Sequence, residues 1–275
     1  MKKNYADFLL VSDMDGTLLN SSKEVSAENR AAIADFVAGG GRFAIATGRP
    51  AANAAGYLTG VPVNSPGIFF NGAMLYDWQT AKLLAACPLE GQIWRDFAAH
   101  CCRRFPTACV EVYTAETCHI LSNPRNDDPR LAVEYKGGWR HSSLAETAEL
   151  EWLKFFIYAP HELLEEAVAE AENFGITKVC SHFYSEPEYL EFVARDVSKG
   201  HMMEHLRELP GNASRYVVAA GDYANDDEML RRADCGIAPA NALPATKAAA
   251  DRIGVDCDEH VWQHIIYEVL PELPV

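Results

Sequence analysis

The 275-residue sequence lacks an excess of basic residues, a long apolar run and any Cys-x-x-Cys pair. Lys and Arg number 24 against 39 Asp and Glu, and this formal net charge of -15 argues against a nucleic-acid or anionic-membrane partner. No apolar stretch approaches the roughly 20 residues that span a bilayer. The apolar run near the start is also too short for a signal peptide. We therefore expect a cytoplasmic protein with no membrane partner.

The eight cysteines have neither a zinc-site spacing nor a secretory context, so we expect reduced and mostly buried thiols. His100, Cys101 and Cys102 are consecutive, but adjacent cysteines chelate one metal ion poorly. His260 and His264 are four residues apart in a predicted helix without a third ligand, which favours surface histidines. Neither group indicates a metal centre.

Five short apolar segments are each followed by glycine or loop-forming polar residues, a pattern typical of buried parallel strands that end in tight loops. They lie at residues 8–11, 42–46, 67–70, 215–220 and 235–238. Helical patterns separate the first three, and alternating strands and helices predict a doubly wound, Rossmann-like parallel α/β sheet. Ligands bind at the carboxyl ends of strands in such sheets, so the residues after these segments are the candidate site.

The middle of the chain has a different pattern. Its predicted strands, such as residues 108–113 and 154–158, are not followed by glycine-polar loops and alternate with helical patterns. We predict an inserted α+β domain at 84–190, within a catalytic core made of 1–83 and 191–275. Candidate substrate contacts in this insert, which resemble ordinary surface residues, are Arg125, Asp127, Trp139, Arg140 and His182.

Asp13 and Asp15 follow the first apolar segment and precede Gly16 and Thr17. In an extended segment the two carboxylates point the same way and repel each other unless a cation or a shared proton intervenes. A hard divalent ion such as Mg²⁺ relieves this repulsion most simply. Asp-x-Asp-Gly also occurs in plain turns and in calcium loops. A calcium loop is disfavoured because no acids continue at alternate positions after Gly16, and no glutamate closes the loop.

The residues at these strand ends suit the chemistry of a phosphate ester. Asp13 is ionised at neutral pH and can attack phosphorus to form an aspartyl phosphate. Asp15 can protonate the leaving group and then deprotonate water. Thr47 and the amides of the loop at Gly16 can donate to phosphate oxygens, and Lys199 supplies a positive charge.

Asp222 and Asp226 can complete a Mg²⁺ site with the first acid. Singly, each residue has a simpler interpretation: Thr47 as a helix cap, Lys199 as a solvated charge, and residues 225–227 as an exposed helix start. Together, four strand-end signals with complementary chemistry favour a phosphate site.

Four motifs carry a family resemblance: Asp13-Met14-Asp15-Gly16-Thr17, Thr47-Gly48-Arg49, Ser198-Lys199-Gly200, and Gly221-Asp222 with Asn225-Asp226. Their order and spacing resemble the signature of the haloacid dehalogenase superfamily. Within it, the sequence is similar to the Cof-type sugar-phosphatase subfamily. Asn71-Gly72-Ala73 and the insert between the second and third motifs also belong to that pattern.

The resemblance implies that Asp13 is the nucleophile, that Asp15 is the general acid and base, and that residues 84–190 form a cap closing over the substrate. The implied phosphate- or substrate-binding residues are Gly16, Thr47, Gly48, Arg49, Asn71, Lys199 and Asn225. The implied Mg²⁺ site consists of Asp13, the carbonyl of Asp15 and Asp222, with Asp226 in support.

We therefore expect a Mg²⁺-dependent hydrolase of small phosphomonoesters, such as sugar phosphates or related metabolites, that works through an aspartyl phosphate. A phosphosugar mutase of the same superfamily is the nearest alternative. A non-catalytic sensor that carries a phospho-aspartate is a third, although such a protein does not need Asp15.

Overall fold

The computed structural model describes residues 4–134 and 138–275. It forms two compact units. The first unit contains the residues up to Ala85 together with Ser198–Val275, and the second contains Ala86–Val197.

Secondary structure covers most of the described chain. The elements up to residue 86 are β1 (Phe8–Ser12), α1 (Ala27–Ala38), β2 (Arg42–Ile45), α2 (Ala51–Tyr57), β3 (Gly67–Phe69), β4 (Met74–Asp77) and β5 (Lys82–Ala86). The middle elements are α3 (Ile93–Arg104), β6 (Cys109–Tyr113), β7 (Cys118–Ile120), α4 (Pro129–Glu134), β8 (Trp139–His141), β9 (Lys154–Tyr158), α5 (His161–Phe174), β10 (Cys180–Glu186) and β11 (Tyr189–Ala194). The last are α6 (Lys199–Glu208), β12 (Tyr216–Ala220), α7 (Asp227–Arg232), β13 (Cys235–Ala238), α8 (Pro244–Ala249), β14 (Arg252–Ile253) and α9 (Val261–His264), which continues as a π turn over Ile265–Val269.

The first unit is built on a five-stranded sheet in the order β14-β13-β12-β1-β2. All four neighbouring pairs are parallel, and Leu10 in β1 is paired with both Phe43 in β2 and Val218 in β12. Every residue of β1 is buried, because a parallel strand covered on both faces needs a continuous apolar run. The predicted parallel α/β core is confirmed.

The third predicted strand has a different partner from the one expected. The sequence pattern places residues 67–70 in the parallel sheet, and β3 does meet the end of β2 through a parallel bridge between Ala46 and Ile68. However, β3 pairs antiparallel with β4 in a separate three-stranded sheet. The chain reverses there because Asn71 and Gly72 have φ values of 57° and 105°, a region that asparagine and glycine enter more readily than other residues.

The second unit is a six-stranded sheet in the order β10-β11-β9-β6-β7-β8. The first four neighbouring pairs are antiparallel, and β8 joins β7 in parallel. Alternate side chains such as Val110, Phe155 and Phe192 form one apolar core with Trp94 and Phe97 of α3. Fully burying each of the larger apolar side chains contributes about 1.5–3 kcal/mol. The predicted separate α+β architecture is confirmed, whereas its role as a cap stays a prediction.

Alternate residues on the other side of this sheet carry buried polar groups. The hydroxyl of Tyr113 donates to Glu111 Oε2 at 2.5 Å, and Lys154 Nζ donates to Glu191 Oε2 at 3.1 Å. Burial raises the pKa of Glu111, although the charge of Arg130 opposes the rise. A carboxyl group in this position favours its neutral form.

None of the helices in the described residues combines the length and the apolar character that a bilayer span requires.

Candidate active site

The candidate site begins where three neighbouring parallel strands end. The last residue of β1, Ser12, is paired with Ala220 of β12 and with Ile45 of β2. The backbone N–H of Asp13 donates to the carbonyl of Ala220 at 2.9 Å, so the chain remains in sheet register as far as Asp13. Thr47 is two residues beyond β2, and the residues after β12 lie at the same edge.

Lys199 joins two of these strand ends. Its Nζ donates to Asp13 Oδ1 at 2.6 Å and to Asp226 Oδ1 at 2.7 Å, and all three side chains are buried. Lys199 begins α6, where Ser198 caps the helix by accepting from the N–H of His201. Burial alone would lower the pKa of Lys199, but the adjacent carboxylates outweigh it and raise the pKa. The lysine is therefore held as a cation.

Three acids form a compact cluster around this lysine. Oxygen atoms of Asp13, Asp222 and Asp226 all lie within 4.8 Å of one another. Burial raises the pKa of Asp13, with the charge of Lys199 opposing and the other two acids adding to the rise. Burial and the charge of Asp226 raise the pKa of Asp222 to about 6, although Thr17 Oγ1 donates to it at 3.1 Å.

This donor set fits a hard divalent cation. Three carboxylates and one ammonium give a formal charge of three minus one, or two negative charges, when all are ionised. Carboxylate oxygens that are buried and close together are the ligands that Mg²⁺ takes in proteins. Asp226, however, accepts from Lys199 on one oxygen and from the N–H groups of Asp222 and Tyr223 on the other, at 3.0 and 3.1 Å. Its contacts are those of a group that positions the lysine and the loop after β12.

Asp15 pairs with a different set of cations from Asp13. Arg49 donates to both carboxylate oxygens, Nε to Oδ2 at 2.7 Å and Nη2 to Oδ1 at 2.8 Å, and Lys23 Nζ donates to Oδ1 at 2.8 Å. Burial alone would raise the pKa of Asp15, but Arg49 and Lys23 lower it to about 2. The repulsion expected between the two acids is thus relieved, at Asp15, by an arginine and a lysine.

The loop after β1, which carries Asp13 and Asp15, requires glycine at position 16. Gly16 has a φ of 78°, and a Cβ atom there would lie 2.5 Å from Asp222 Oδ2. Its carbonyl accepts from Asn241 Nδ2 at 2.8 Å, and Asn241 Oδ1 accepts from the N–H of Cys257 at 2.9 Å. The loop after β13 therefore holds the loop after β1.

A third group of predicted residues is linked by hydrogen bonds. Thr47 is buried, its Oγ1 accepts from the N–H of Arg49 at 3.2 Å, and its carbonyl accepts from the N–H of Asn71 at 3.1 Å. Asn225 Nδ2 donates to Asn71 Oδ1 at 3.0 Å. A Cβ atom on Gly48 would lie 3.0 Å from the same Asn71 oxygen. All of the predicted phosphate-binding residues thus lie in hydrogen-bonded or contacting groups at one sheet edge, and their roles remain predictions.

A comparison with known families gives a match that spans all four motifs. The sequence matches the family model described as haloacid dehalogenase-like hydrolase over residues 10–265. The chain belongs to this family. The resemblance carried by the four motifs is confirmed, and so is the prediction that the protein is an enzyme of the hydrolase class.

Curated relatives of this haloacid dehalogenase-like hydrolase include two named phosphatases. The 5-amino-6-(5-phospho-D-ribitylamino)uracil phosphatase of Bacillus subtilis is 27% identical over 251 residues, covering 89% of this chain and 88% of that protein. The pyridoxal phosphate phosphatase of Escherichia coli is 27% identical over 272 residues, covering 94% and 97%. A chloroplastic endoribonuclease YBEY of Arabidopsis thaliana is 28% identical over 271 residues, but the chain spans only 45% of its length.

Solved structures have the same fold. A haloacid dehalogenase-like hydrolase from Bacteroides thetaiotaomicron superimposes with a TM-score of 0.82 at 25% sequence identity, covering 95% of this chain and 98% of that one.

Three residues of the site have no role assigned from the sequence. Lys23 has no motif of its own, and Thr17 was read only as part of the first motif. Asn241 follows a strand that the sequence pattern identifies, so its position at a fifth strand end was the available signal. Each contacts a predicted residue: Lys23 contacts Asp15, Thr17 contacts Asp222, and Asn241 contacts the Gly16 carbonyl.

The five candidate substrate contacts of the insert lie in the second unit: Arg125, Asp127, Trp139, Arg140 and His182. Asp127 Oδ2 pairs with His141 Nε2 at 3.0 Å, and Trp139 Nε1 donates to the carbonyl of Leu131 at 3.0 Å. Such contacts are also typical of residues without a binding role, so their part in substrate recognition stays a prediction. All eight cysteines are free thiols, and six of the eight are buried: Cys101, Cys109, Cys118, Cys180, Cys235 and Cys257.

Proposed function

We propose that this haloacid dehalogenase-like hydrolase cleaves small phosphomonoesters, such as sugar phosphates or related metabolites, through an aspartyl phosphate on Asp13. The observation that carries the proposal is the buried ammonium of Lys199 between Asp13 and Asp226. A cation fixed beside a carboxylate lets an anionic nucleophile and an anionic phosphate approach each other. The phosphatase names of the two bacterial relatives support the same reaction class.

In the proposed reaction an Asp13 carboxylate oxygen attacks phosphorus. A bond forms between this oxygen and phosphorus while the bond from phosphorus to the ester oxygen breaks, and Asp15 gives a proton to the departing alkoxide. Because Arg49 and Lys23 hold the pKa of Asp15 at about 2, this role requires both cations to leave its carboxyl group when the substrate binds, so that Asp15 can carry a proton. Water then attacks the phosphorus of the aspartyl phosphate, Asp15 takes a proton from that water, and inorganic phosphate leaves with Asp13 restored. Asp15 is proposed for the proton transfers because it follows Asp13 by two residues at the strand end.

We propose that Asp13 and Asp222 hold a Mg²⁺ ion with the backbone carbonyl of Asp15, and that Asp226 supports the site by orienting Lys199. When bound, the ion supplies positive charge to the phosphate oxygens. Thr47, Asn71 and Asn225 are proposed to bind the phosphate; the other proposed phosphate-binding residues are Gly16, Gly48, Arg49 and Lys199. The second unit is proposed to select the organic part of a metabolite. We also propose a cytoplasmic location, and the net charge of -15 argues against a nucleic-acid partner.

The first experiment compares wild type and Asp13→Asn on p-nitrophenyl phosphate with added Mg²⁺. We expect the variant to lose at least 1,000-fold in kcat, on the order of the cost of removing a nucleophile, and EDTA to abolish the wild-type activity. Asp7→Asn is the matched control, because Asp7 is an exposed acid just before the other end of β1. An Asp13→Asn protein with wild-type activity would refute the mechanism.

Two further assays separate the alternatives. A phosphomutase would convert a phosphosugar into its isomer faster than it releases inorganic phosphate. A phospho-aspartate sensor would accumulate a long-lived acid-stable phosphoprotein with negligible turnover.

A further inference from the structure

A chain of buried hydrogen bonds runs from the C-terminal helix to the backbone of Asp13. Trp262 Nε1 donates to Ser12 Oγ at 2.7 Å, and Ser12 Oγ donates to the carbonyl of Asp13 at 2.6 Å. Trp262 and Ser12 are each 0% exposed, so these contacts form without competition from water. The chain ends on the residue that the proposed function names as the nucleophile.

The direction of the chain follows from the chemistry of its members. An indole N–H can only donate, so Ser12 Oγ must accept from Trp262. The single hydroxyl proton of Ser12 is then directed to the remaining partner, the Asp13 carbonyl. Trp262 thereby sets the orientation of a hydroxyl that could otherwise rotate.

Trp262 is itself held at two further points. Its backbone N–H donates to Asn29 Oδ1 at 2.9 Å, and Gln263 adds a second N–H on the same oxygen at 3.0 Å. Its ring packs edge-on against Phe43 of β2, with centroids 5.2 Å apart and planes at 90°. The indole donor therefore has a fixed position relative to both β2 and α1.

The Asp13 backbone is thus constrained on both of its polar groups. Its N–H is tied to Ala220 of β12, and its carbonyl is tied through Ser12 to Trp262. With the side chain also held by Lys199, the carboxylate has little freedom to turn. Positioning of this kind raises the rate because a misplaced nucleophile loses reactivity steeply with distance.

We propose that Ser12 and Trp262 are positioning residues for Asp13, acting through its backbone carbonyl. This inference rests on the proposed function, since it assigns a task to the contacts of the proposed nucleophile. A positioning role predicts a lower kcat in variants of either residue. KM should stay within twofold of the wild-type value, because substrate binding depends on other groups.

The test uses Ser12→Ala, Trp262→Phe and the double variant in the full-length protein. Ser12→Ala leaves the buried indole N–H without its acceptor, so both kcat and stability should fall, kcat by about tenfold. In the double variant both polar partners are gone, so the urea midpoint should recover in part. kcat should stay low, because the Asp13 carbonyl still lacks its hydrogen bond from Ser12. Ser12→Thr, which keeps the hydroxyl, should restore kcat if the added methyl group is tolerated.

Ser65→Ala is the matched control. Ser65 is also buried, its Oγ accepts one hydrogen bond from Asn212 Nδ2 at 3.1 Å, and its N–H donates to the carbonyl of Phe43 near the start of β2. This substitution should lower stability and leave kcat unchanged. If kcat recovers together with stability in the double variant, or if Ser12→Ala keeps the wild-type kcat, the positioning role is refuted.

Amide hydrogen exchange over residues 12–17 gives a readout that does not depend on activity. Faster exchange there in Ser12→Ala and in the double variant, with Ser65→Ala unchanged, supports the positioning of Asp13. Unchanged exchange overturns it. If the wild type hydrolyses no phosphomonoester or Asp13→Asn stays active, the proposed function fails, and this exchange measurement alone decides the present inference.

Discussion

Replacing Gly72 with alanine should damage the site through one backbone contact. Gly72 has a φ of 105°, and a Cβ atom there would lie 2.1 Å from the Ser198 carbonyl oxygen and 3.0 Å from the backbone nitrogen of Lys199. The backbone strain costs about 1–3 kcal/mol, and the overlap adds about 1–3 kcal/mol. We therefore expect a loss of about 2–6 kcal/mol, a large part of the about 5–15 kcal/mol of a typical domain.

The same substitution should reduce activity beyond its effect on stability. Relieving an overlap with Ser198 requires a shift of about 1 Å in the backbone that carries Lys199, and such a displacement can cost about 100-fold in rate. The bonds of 2.6 and 2.7 Å from Lys199 to Asp13 and Asp226 would then lengthen. The assay is kcat on p-nitrophenyl phosphate at a temperature where urea titration shows the variant to be folded.

Gly60→Ala separates the overlap from the strain. Gly60 also has a positive φ, 78°, but a Cβ atom there meets nothing within 4 Å. Its replacement should cost only about 1–2 kcal/mol and leave kcat unchanged. If Gly72→Ala matches Gly60→Ala in both stability and kcat, the close approach between Gly72 and Ser198 does not position the lysine.

Three further outcomes follow from single side chains. Lys199→Met leaves two buried carboxylates without their shared cation, so kcat should fall at least 100-fold, and urea titration should show a loss of about 3–5 kcal/mol. Glu111 has a raised pKa in the folded state. The stability that Glu111 contributes is therefore complete below its ordinary pKa of 4.5 and is lost as pH rises through the folded-state pKa. The fall in the urea midpoint with rising pH should be smaller in Glu111→Gln than in the wild type. His260 has a φ of 65°, so His260→Gly should raise the melting temperature by relieving about 1–2 kcal/mol of strain, and a lower melting temperature would contradict this.

The sheet and the acid cluster were predictable because they depend on local patterns. A buried parallel strand must be apolar throughout, so β1 and β12 are visible in the sequence, and the polar residues that follow them must lie at one edge. Asp13 and Asp222 could therefore be placed together without knowing their distance. That Lys199 bonds to Asp13 and Asp226 was predictable only in kind, since two buried carboxylates need a cation.

Other contacts could not be predicted because they depend on backbone turns or on residues far apart in the chain. The chain reverses at Asn71, and this reversal makes β3 the first strand of a hairpin. A pattern of apolar residues does not indicate which residue has a positive φ. Lys23 reaches Asp15 from a loop without a motif, and Asn241 reaches Gly16 from more than 200 positions away. Glu191 belongs to β11, which pairs with β9, so the second unit extends beyond residue 190 to Val197. The sequence pattern used to bound the insert, strands without a following glycine-polar loop, did not indicate this end point.

The pairing of β1 with β12 has a consequence for how the protein is made. During synthesis at about 5–20 residues per second, β1 leaves the ribosome many seconds before the strand that lies beside it in the sheet. The second unit is one continuous stretch whose strands pair among themselves, so its sheet can form first. The largely apolar β1 must wait with the side that pairs with β12 exposed, so we expect the first unit to refold slowly and to need protection from aggregation while it is made.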